Sequence, residues 1–282
     1  MTRLLIAAGL LALAAACPRI AAGAITCTFS SPGFTAAYVP STGTTNVTQS
    51  SVTVTCQRNA GGDATSIAYN IAADNGLNSS GQQNRARLAA TANYILYDTF
   101  RDSGCSQDWR ANAPNRLGGT ITGMSGFIPV SQTLSWWGCI PASQLGLAAG
   151  NYSDTVTMTL SYGASSPTAT FPVAIYTPAS CTITTAPGTV SFTYTAFGGA
   201  QNASTPFAVT CSNVLPYTMA LGATSGVIVG LQYTIALSAA GGVGTGASQS
   251  YSVNGTMPAG QAGTCGAASC AGTQVQTLTI TY

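Results

Sequence analysis

The chain has 282 residues, of which 46% are hydrophobic and only 5% charged. The charges are eight Arg and six Asp, with no Lys, Glu or His, for a net charge of +2. Without a basic stripe to hold phosphates, nucleic acid is excluded as a partner; without an imidazole, Ser-His-Asp and Cys-His catalysis are excluded as usually built.

In chain order, the first feature is Arg3 followed by an unbroken apolar run, Leu4 to Ala16, too short to span a bilayer comfortably. Ala22-Gly23-Ala24 then gives the small-x-small pattern of a signal-peptidase site. Residues 1–24 are expected to be a secretory signal peptide, with Ile25 as the mature start. Lipidation of Cys17 is the competing expectation, weakened by Ala14 where a lipobox prefers Leu. Export leaves eight cysteines, an even number that implies disulfides.

The remaining residues repeat one unit twice. The first copy opens with C-T-F at Cys27 and reaches S-V-T-V-T-C at Cys56; the second opens with C-T-I at Cys181 and reaches P-F-A-V-T-C at Cys211. Farther on, Q-T-L-S-W-W-G-C-I-P-A-S-Q from Gln132 to Gln144 matches Q-S-Y-S-V-N-G-T-M-P-A-G-Q from Gln249 to Gln261. Gly150 with N-Y-S-D-T-V-T-M-T-L then matches Gly272 with T-Q-V-Q-T-L-T-I-T-Y, which sets Tyr282 opposite Leu160. This tandem duplication divides the mature chain into residues 25–176 and 177–282. Within each copy the period is two: Val52, Val54 and Cys56, then Val156, Met158 and Leu160, then Leu278, Ile280 and Tyr282 alternate with Thr or Ser. The expected fold class is all-β, two tandem immunoglobulin-like β-sandwich domains. Cys27–Cys56 and Cys181–Cys211 pair because each copy repeats them. Cys265 and Cys270 flank a short loop and pair with each other, and Cys105–Cys139 follows by elimination.

The copies differ at their ends. The first continues past Tyr162 into a further strand-like run, Thr168 to Tyr176, whereas the second stops at Tyr282. The second sandwich is therefore expected to lack its final strand and to offer an unpaired edge, with Leu278, Ile280 and Tyr282, to a strand from a partner. Only Ile25 and Thr26 precede Cys27, too few for a donated extension at about 3.3 Å per residue. The chain is expected to accept a strand and to give none. From Thr177 to Tyr282 no side chain is charged, which points to a surface covered by other subunits.

The run G-C-I-P-A-S-Q ending at Gln144, Y-S-D-T-V-T-M-T-L-S-Y from Tyr152 to Tyr162, and the first-strand cysteine resemble the spore coat protein U domain. The second copy keeps G-T-M-P-A-G-Q and T-L-T-I-T-Y, with Y-S-D-T degraded to Q-V-Q-T. The resemblance implies a subunit of archaic chaperone–usher pili, similar to two-domain tip adhesins. Its complete N-terminal domain would attach and its incomplete C-terminal domain would be pilin-like. It further implies periplasmic passage with a chaperone, export through an outer-membrane usher, and an adjacent pilin that donates a strand. The Tyr282 carboxylate would dock on basic chaperone residues, and the protein would end at the pilus tip on the cell surface. A structural spore-coat or cell-surface protein without a tip ligand is the alternative.

Attachment to an abiotic or host surface needs an exposed patch. The first copy is longer than the second between Tyr94 and Gln132 and between Cys56 and Tyr69, and both insertions are expected at the tip far from the linker. Trp109, Leu117, Ile121, Met124, Phe127 and Ile128 in the larger insertion either form that surface or pack as a satellite core beneath it. With Trp137, which alternation turns outward while Trp136 turns inward, the candidates are Trp109, Ile121, Met124, Phe127, Ile128 and Trp137. Arg101, Asp102, Asp108, Arg110 and Arg116 read as solvated loop charges, and Asp154 as a local hydrogen-bonding residue. No carboxylate pair, zinc-ligand set or phosphate loop stands out, so neither catalysis nor a cofactor is expected. A soluble carbohydrate-binding module is the third reading.

Overall fold

The computed structural model describes residues 25–40, 43–89, 91–112 and 114–282. The expected signal peptide and Cys17 lie outside the described residues. Those described form eighteen strands and no helix. The first copy supplies β1 Thr26–Ser30, β2 Phe34–Ala37, β3 Asn46–Gln57, β4 Ile67–Ala73, β5 Asn84–Leu88, β6 Tyr94–Phe100, β7 Leu117–Ile121, β8 Val130–Ile140, β9 Gly150–Tyr162 and β10 Thr168–Thr177. The second supplies β11 Cys181–Thr185, β12 Gln201–Cys211, β13 Pro216–Leu221, β14 Ser225–Ile228, β15 Leu231–Leu237, β16 Gly241–Val243, β17 Ser248–Met257 and β18 Leu278–Thr281. β3 shows why these residues become strands. Val52, Val54 and Cys56 are fully buried while the intervening Thr residues stay partly hydrated, the division a half-buried strand demands.

In the N-terminal sandwich, β1, β3, β8 and the end of β6 form one layer; β2, β10, β9, β4 and β7 form the other. β6 turns the corner between them: Tyr94 to Tyr97 pair with β5, Asp98 to Phe100 with β8. Strands that switch layers in this way close the side of a sandwich. The core between the layers is aromatic. Trp136 lies 4.8 Å from Phe171 and 5.3 Å from Trp109, centroid to centroid, and Phe34 meets Trp136 edge-on at 6.0 Å.

β10 completes this core. It runs antiparallel to β9 over ten residue pairs, from Thr168–Thr159 to Thr177–Gly150. On its other edge it runs parallel to β2, from Val173–Phe34 to Tyr176–Ala37. Phe171, Val173 and Ile175 are buried to 1% exposure or less, each a contribution of about 1.5–3 kcal/mol. Gly33, at φ +77°, lets the chain pass against the Pro172 carbonyl, where any Cβ would collide.

The C-terminal sandwich has a five-stranded sheet, β11-β12-β17-β15-β14, and a three-stranded one, β16-β13-β18. Its core is smaller, built on Phe207, Val209, Tyr217, Met219, Tyr233, Ile235, Val253 and Met257. All four expected disulfides are bonded: Cys27–Cys56, Cys105–Cys139, Cys181–Cys211 and Cys265–Cys270. The first and third join directly opposed residues of neighbouring strands.

The two sandwiches meet beside the linker. The Ser212 N–H donates to the Ser180 carbonyl at 2.9 Å, and the Ser180 N–H to the Ser212 hydroxyl at 3.1 Å. The Asn213 N–H donates to the Leu147 carbonyl at 3.0 Å, and Asn213 forms a parallel bridge with Ala148. The Gly246 backbone, at φ +73°, lies directly on Gly146, where a Cβ on residue 246 has no room.

Candidate functional site

Contacts repeated in both sandwiches fix which residues correspond. Gln144 accepts from the Leu96 N–H at 2.7 Å while its own N–H donates to the Tyr38 hydroxyl at 3.0 Å. Gln261 does the same with Gln232 at 2.6 Å and Tyr194 at 2.9 Å. Tyr194 therefore stands for Tyr38, and Val190 and Phe192 for Phe34 and Ala36. The Asp74 N–H donates to the Thr157 carbonyl at 2.9 Å, and Gly222 to Thr277 at 2.8 Å. Tyr282 thus corresponds to Tyr162, not to Leu160 as the sequence match set it. The pairing of Gly150 with Gly272 has no structural basis, because the Cys265–Cys270 loop takes up the difference.

These equivalences expose an empty slot. In the N-terminal sandwich, β10 lies between β9 and β2. In the C-terminal sandwich, no described strand lies between β18 and the segment from Val190 to Tyr194, and residues 186–200 join no ladder. Met158 and Leu160 are fully buried, but their counterparts Leu278 and Ile280 are only half-buried. Phe34, Ala36 and Tyr38 are buried, whereas Val190, Phe192 and Tyr194 are half-buried. Tyr282 follows β18 and is exposed. The slot is apolar, bears no charged side chain, and has one unpaired strand edge.

The pole of the N-terminal sandwich farthest from the linker carries loops 57–66 and 122–129. Asp63 shapes the first, accepting the Asn59 and Ala60 N–H groups at 2.8 and 2.7 Å. The second is pinned to it by the Met124 N–H, which donates to the Thr65 carbonyl at 3.0 Å. Phe127 and Ile128 stand out at the end, 58% and 68% exposed. The other proposed surface residues do not join them. Trp109, Ile121 and Met124 are 2% exposed or less and belong to the core. The Trp109 indole N–H donates to the Ile71 carbonyl at 2.9 Å, which fixes the ring beneath the insertion. Trp137 is half-buried on the outer face of β8, seven residues from Val130, or roughly 23 Å at the strand rise.

Only part of the larger insertion reaches the tip. Tyr97, not Tyr94, corresponds to Tyr233, since Asp98 pairs with Cys139 where Thr234 pairs with Thr256. Residues 101–112 and 114–116 lie along the flank, held by Trp109, by Cys105–Cys139 and by Arg110. Arg110 is buried, not a solvated loop charge. It forms an ion pair with Asp98 at 2.6 Å and also reaches the Asn84 and Asn75 side-chain carbonyls. Burial pushes the Asp98 carboxyl above its ordinary range, although Arg110 opposes the shift. Asp154 bonds locally to the Thr155 backbone and also farther away: it is buried, accepts the Tyr97 hydroxyl at 2.7 Å and the Asn78 N–H at 3.2 Å, and desolvation again raises its pKa. In the second copy Gln274 accepts the Tyr233 hydroxyl at 2.7 Å, keeping the contact without the charge.

Tyr217–Gly242 matches Tyr69–Gly119, and Thr210–Ser248 matches Thr55–Ser131, so the short turn Gly244–Ala247 takes the place of the longer loop that carries Phe127 and Ile128. The pole that bears Phe127 and Ile128 in the first sandwich is therefore the pole the second presses against its neighbour.

Comparison with curated protein sequences finds no match. Among solved structures, the chain is similar to the CsuC–CsuE chaperone–tip adhesion subunit pre-assembly complex of Acinetobacter baumannii archaic chaperone–usher Csu pili. That match has 14% identity and a TM-score of 0.46, covering 90% of this chain and 99% of that chain. It is also similar to the CupB6 tip adhesin of Pseudomonas aeruginosa, at 10% identity and a TM-score of 0.38, covering 84% and 88%. The CooA pilin subunit of enterotoxigenic Escherichia coli matches at 12% identity and a TM-score of 0.35, over 54% and 97%. The model of the Spore Coat Protein U domain matches residues 11–159, just over half of the 282, and with that match the chain belongs to the Spore Coat Protein U domain family.

Proposed function

We propose that the protein is the tip subunit of a chaperone–usher-type pilus, accepting a donated strand in its C-terminal sandwich and attaching through the far pole of its N-terminal one. The carrying observation is the slot between β18 and Val190–Tyr194, occupied by β10 in the other copy. A strand entering there would bond to β18 and bury Leu278, Ile280 and Phe192, which main-chain pairing and alternate side chains both favour. A periplasmic chaperone would hold the slot first, with the Tyr282 carboxylate as its anchor, and an adjacent pilin would follow at an outer-membrane usher. Phe127 and Ile128 would then meet an abiotic or host surface.

A synthetic peptide of residues Thr168–Thr177 is the test strand for the full chain. It should raise the melting temperature of the C-terminal sandwich, and the same peptide with Phe171→Asp should not. No response to either peptide would sink the strand-acceptor reading. Tip placement rests on cleavage ahead of Ile25. N-terminal sequencing of the exported protein checks it, and ten or more residues ahead of β1 would place the subunit within the shaft instead. Replacing Phe127 and Ile128 with Ser separates the tip reading from the coat alternative: normal assembly with unchanged attachment would favour a coat protein.

A further inference from the structure

The junction between the two sandwiches is a covalent example of how one such sandwich stacks on another. β10 fills the first sandwich and leads within a few residues into β11, the first strand of the second. The body following the inserted strand then rests on the pole where that strand exits. It does so through two loops, Ser212–Asn213 and Gly244–Gly246, seated on Gly146, Leu147 and Ala148.

The receiving loop has a counterpart. Gln144 corresponds to Gln261, so Gly146 corresponds to Gly263, and both glycines are left-handed, at φ +84° and +71°. Leu147 and Ala148 correspond to Thr264 and Cys265. In the first sandwich this pair is buried, at 7% and 1% exposure; in the second, Thr264 and Cys265 are exposed, as are residues 266–271. Phe197, 74% exposed, is tied to the same pole, its N–H donating to the Gln261 carbonyl at 2.8 Å. No side chain there is charged.

We infer that residues 261–271, with the Cys265–Cys270 loop, form the docking face for the body of the neighbouring subunit. That neighbour is a sandwich of this same kind, presenting its own equivalents of Asn213 and Gly246 to Thr264 and Gly263. The inference rests on the strand-acceptor reading above. It adds a second contact, which a bare strand does not make. The occupant follows from continuity: a strand entering in the direction of β10 leaves the slot at this pole, so the body attached to it emerges over residues 261–271. The neutral surface suits an uncharged partner loop such as Ser212–Val214.

The test compares two forms of the full chain by hydrogen exchange. In one, the Thr168–Thr177 peptide fills the slot alone. In the other, a second copy of residues 163–282 is appended after Tyr282, with Ala267→Val in the added copy so that the two loops separate by mass. Amides of β18 should slow in both forms. Amides of residues 261–271 in the inner copy should slow several-fold more in the extended chain than with peptide. Equal exchange of that loop in both forms, with β18 slowed, would overturn the docking face and leave the strand-acceptor reading standing. Failure of β18 to slow in either form would remove both. Gly246→Val in the native chain serves as the matching control. It should release the internal junction, speeding exchange at Asn213, without changing exchange in β3 or β9; an unchanged Asn213 amide would overturn the template on which the inference is built.

Discussion

Single residues in the large insertion divide into anchors and contacts. Trp109→Ala removes a fully buried ring that touches Trp136 and Phe171 and should cost about 3–5 kcal/mol, read as a shifted denaturant midpoint of the N-terminal sandwich. Phe127→Ser removes an exposed ring and should leave stability within about 0.5 kcal/mol while weakening attachment. The buried carboxylates predict an unusual acid limb. Asp98 and Asp154 both titrate above the ordinary value of 3.8 because burial disfavours their charge. The folded chain thus holds their protons more tightly than the unfolded chain. Their contribution to stability falls as pH rises through the raised values and is regained on acidification towards 3.8. Asp102, exposed and held low by the N–H groups of Gln107 and Ser106, acts in the opposite sense below that pH. Melting temperature should therefore rise between neutral pH and about 4 and then fall. Asp154→Asn, which can still accept the Tyr97 hydroxyl, should flatten the rise; an unchanged profile would remove Asp154 from it.

At the scale of elements, strands and disulfides were legible from the sequence because alternation and repetition are local signals. Val52, Val54 and Cys56 announce β3 by spacing alone, and the duplicated Cys27–Cys56 pattern predicts its own partner. The insertion was not legible in the same way. Gly-rich stretches with scattered apolar residues look alike whether the side chains face water or a core, so the sequence leaves Trp109, Ile121 and Met124 open between surface candidates and a satellite core, and the structure places them in the core. The indole's hydrogen bond to Ile71, 38 residues away, leaves no mark in sequence. Arg110 looks like a solvated loop charge for the same reason, since Asp98 and Asn84 lie on other strands, and the bond from Tyr97 to Asp154 leaves no mark in sequence either. Only Phe127 and Ile128 survive as an exposed pair, since they follow the Met124 anchor at the loop's end. Because Trp109 and Arg110 also pin the flank, Cys105→Ser with Cys139→Ser should not release it. Removing the disulfide should lower stability by about 2–4 kcal/mol while leaving Trp109 protected from fluorescence quenchers. A quenched Trp109 would mean that the disulfide alone holds this flank.

At the scale of the molecule, two separate cores with unequal filling should give two unfolding transitions. The larger core contains β10 and belongs to the later transition; the smaller has an open slot and belongs to the earlier. Calorimetry with the Thr168–Thr177 peptide should move the earlier transition alone. A single transition, unmoved by peptide, would show the C-terminal sandwich to be complete as it stands.

The placement of β10 also decides how the protein bears a load. Tension pulling the C-terminal sandwich away from a surface held at the far pole passes through the linker to Thr177 and along β10 from end to end. Its ten pairs with β9 and four with β2 lie across that pull, so they share the force and must yield together rather than unzip one by one. Rupture under load is then set by the rate of a concerted shear. On the proposed tip-subunit reading, this shear geometry would resist longest in the direction in which the tether is drawn.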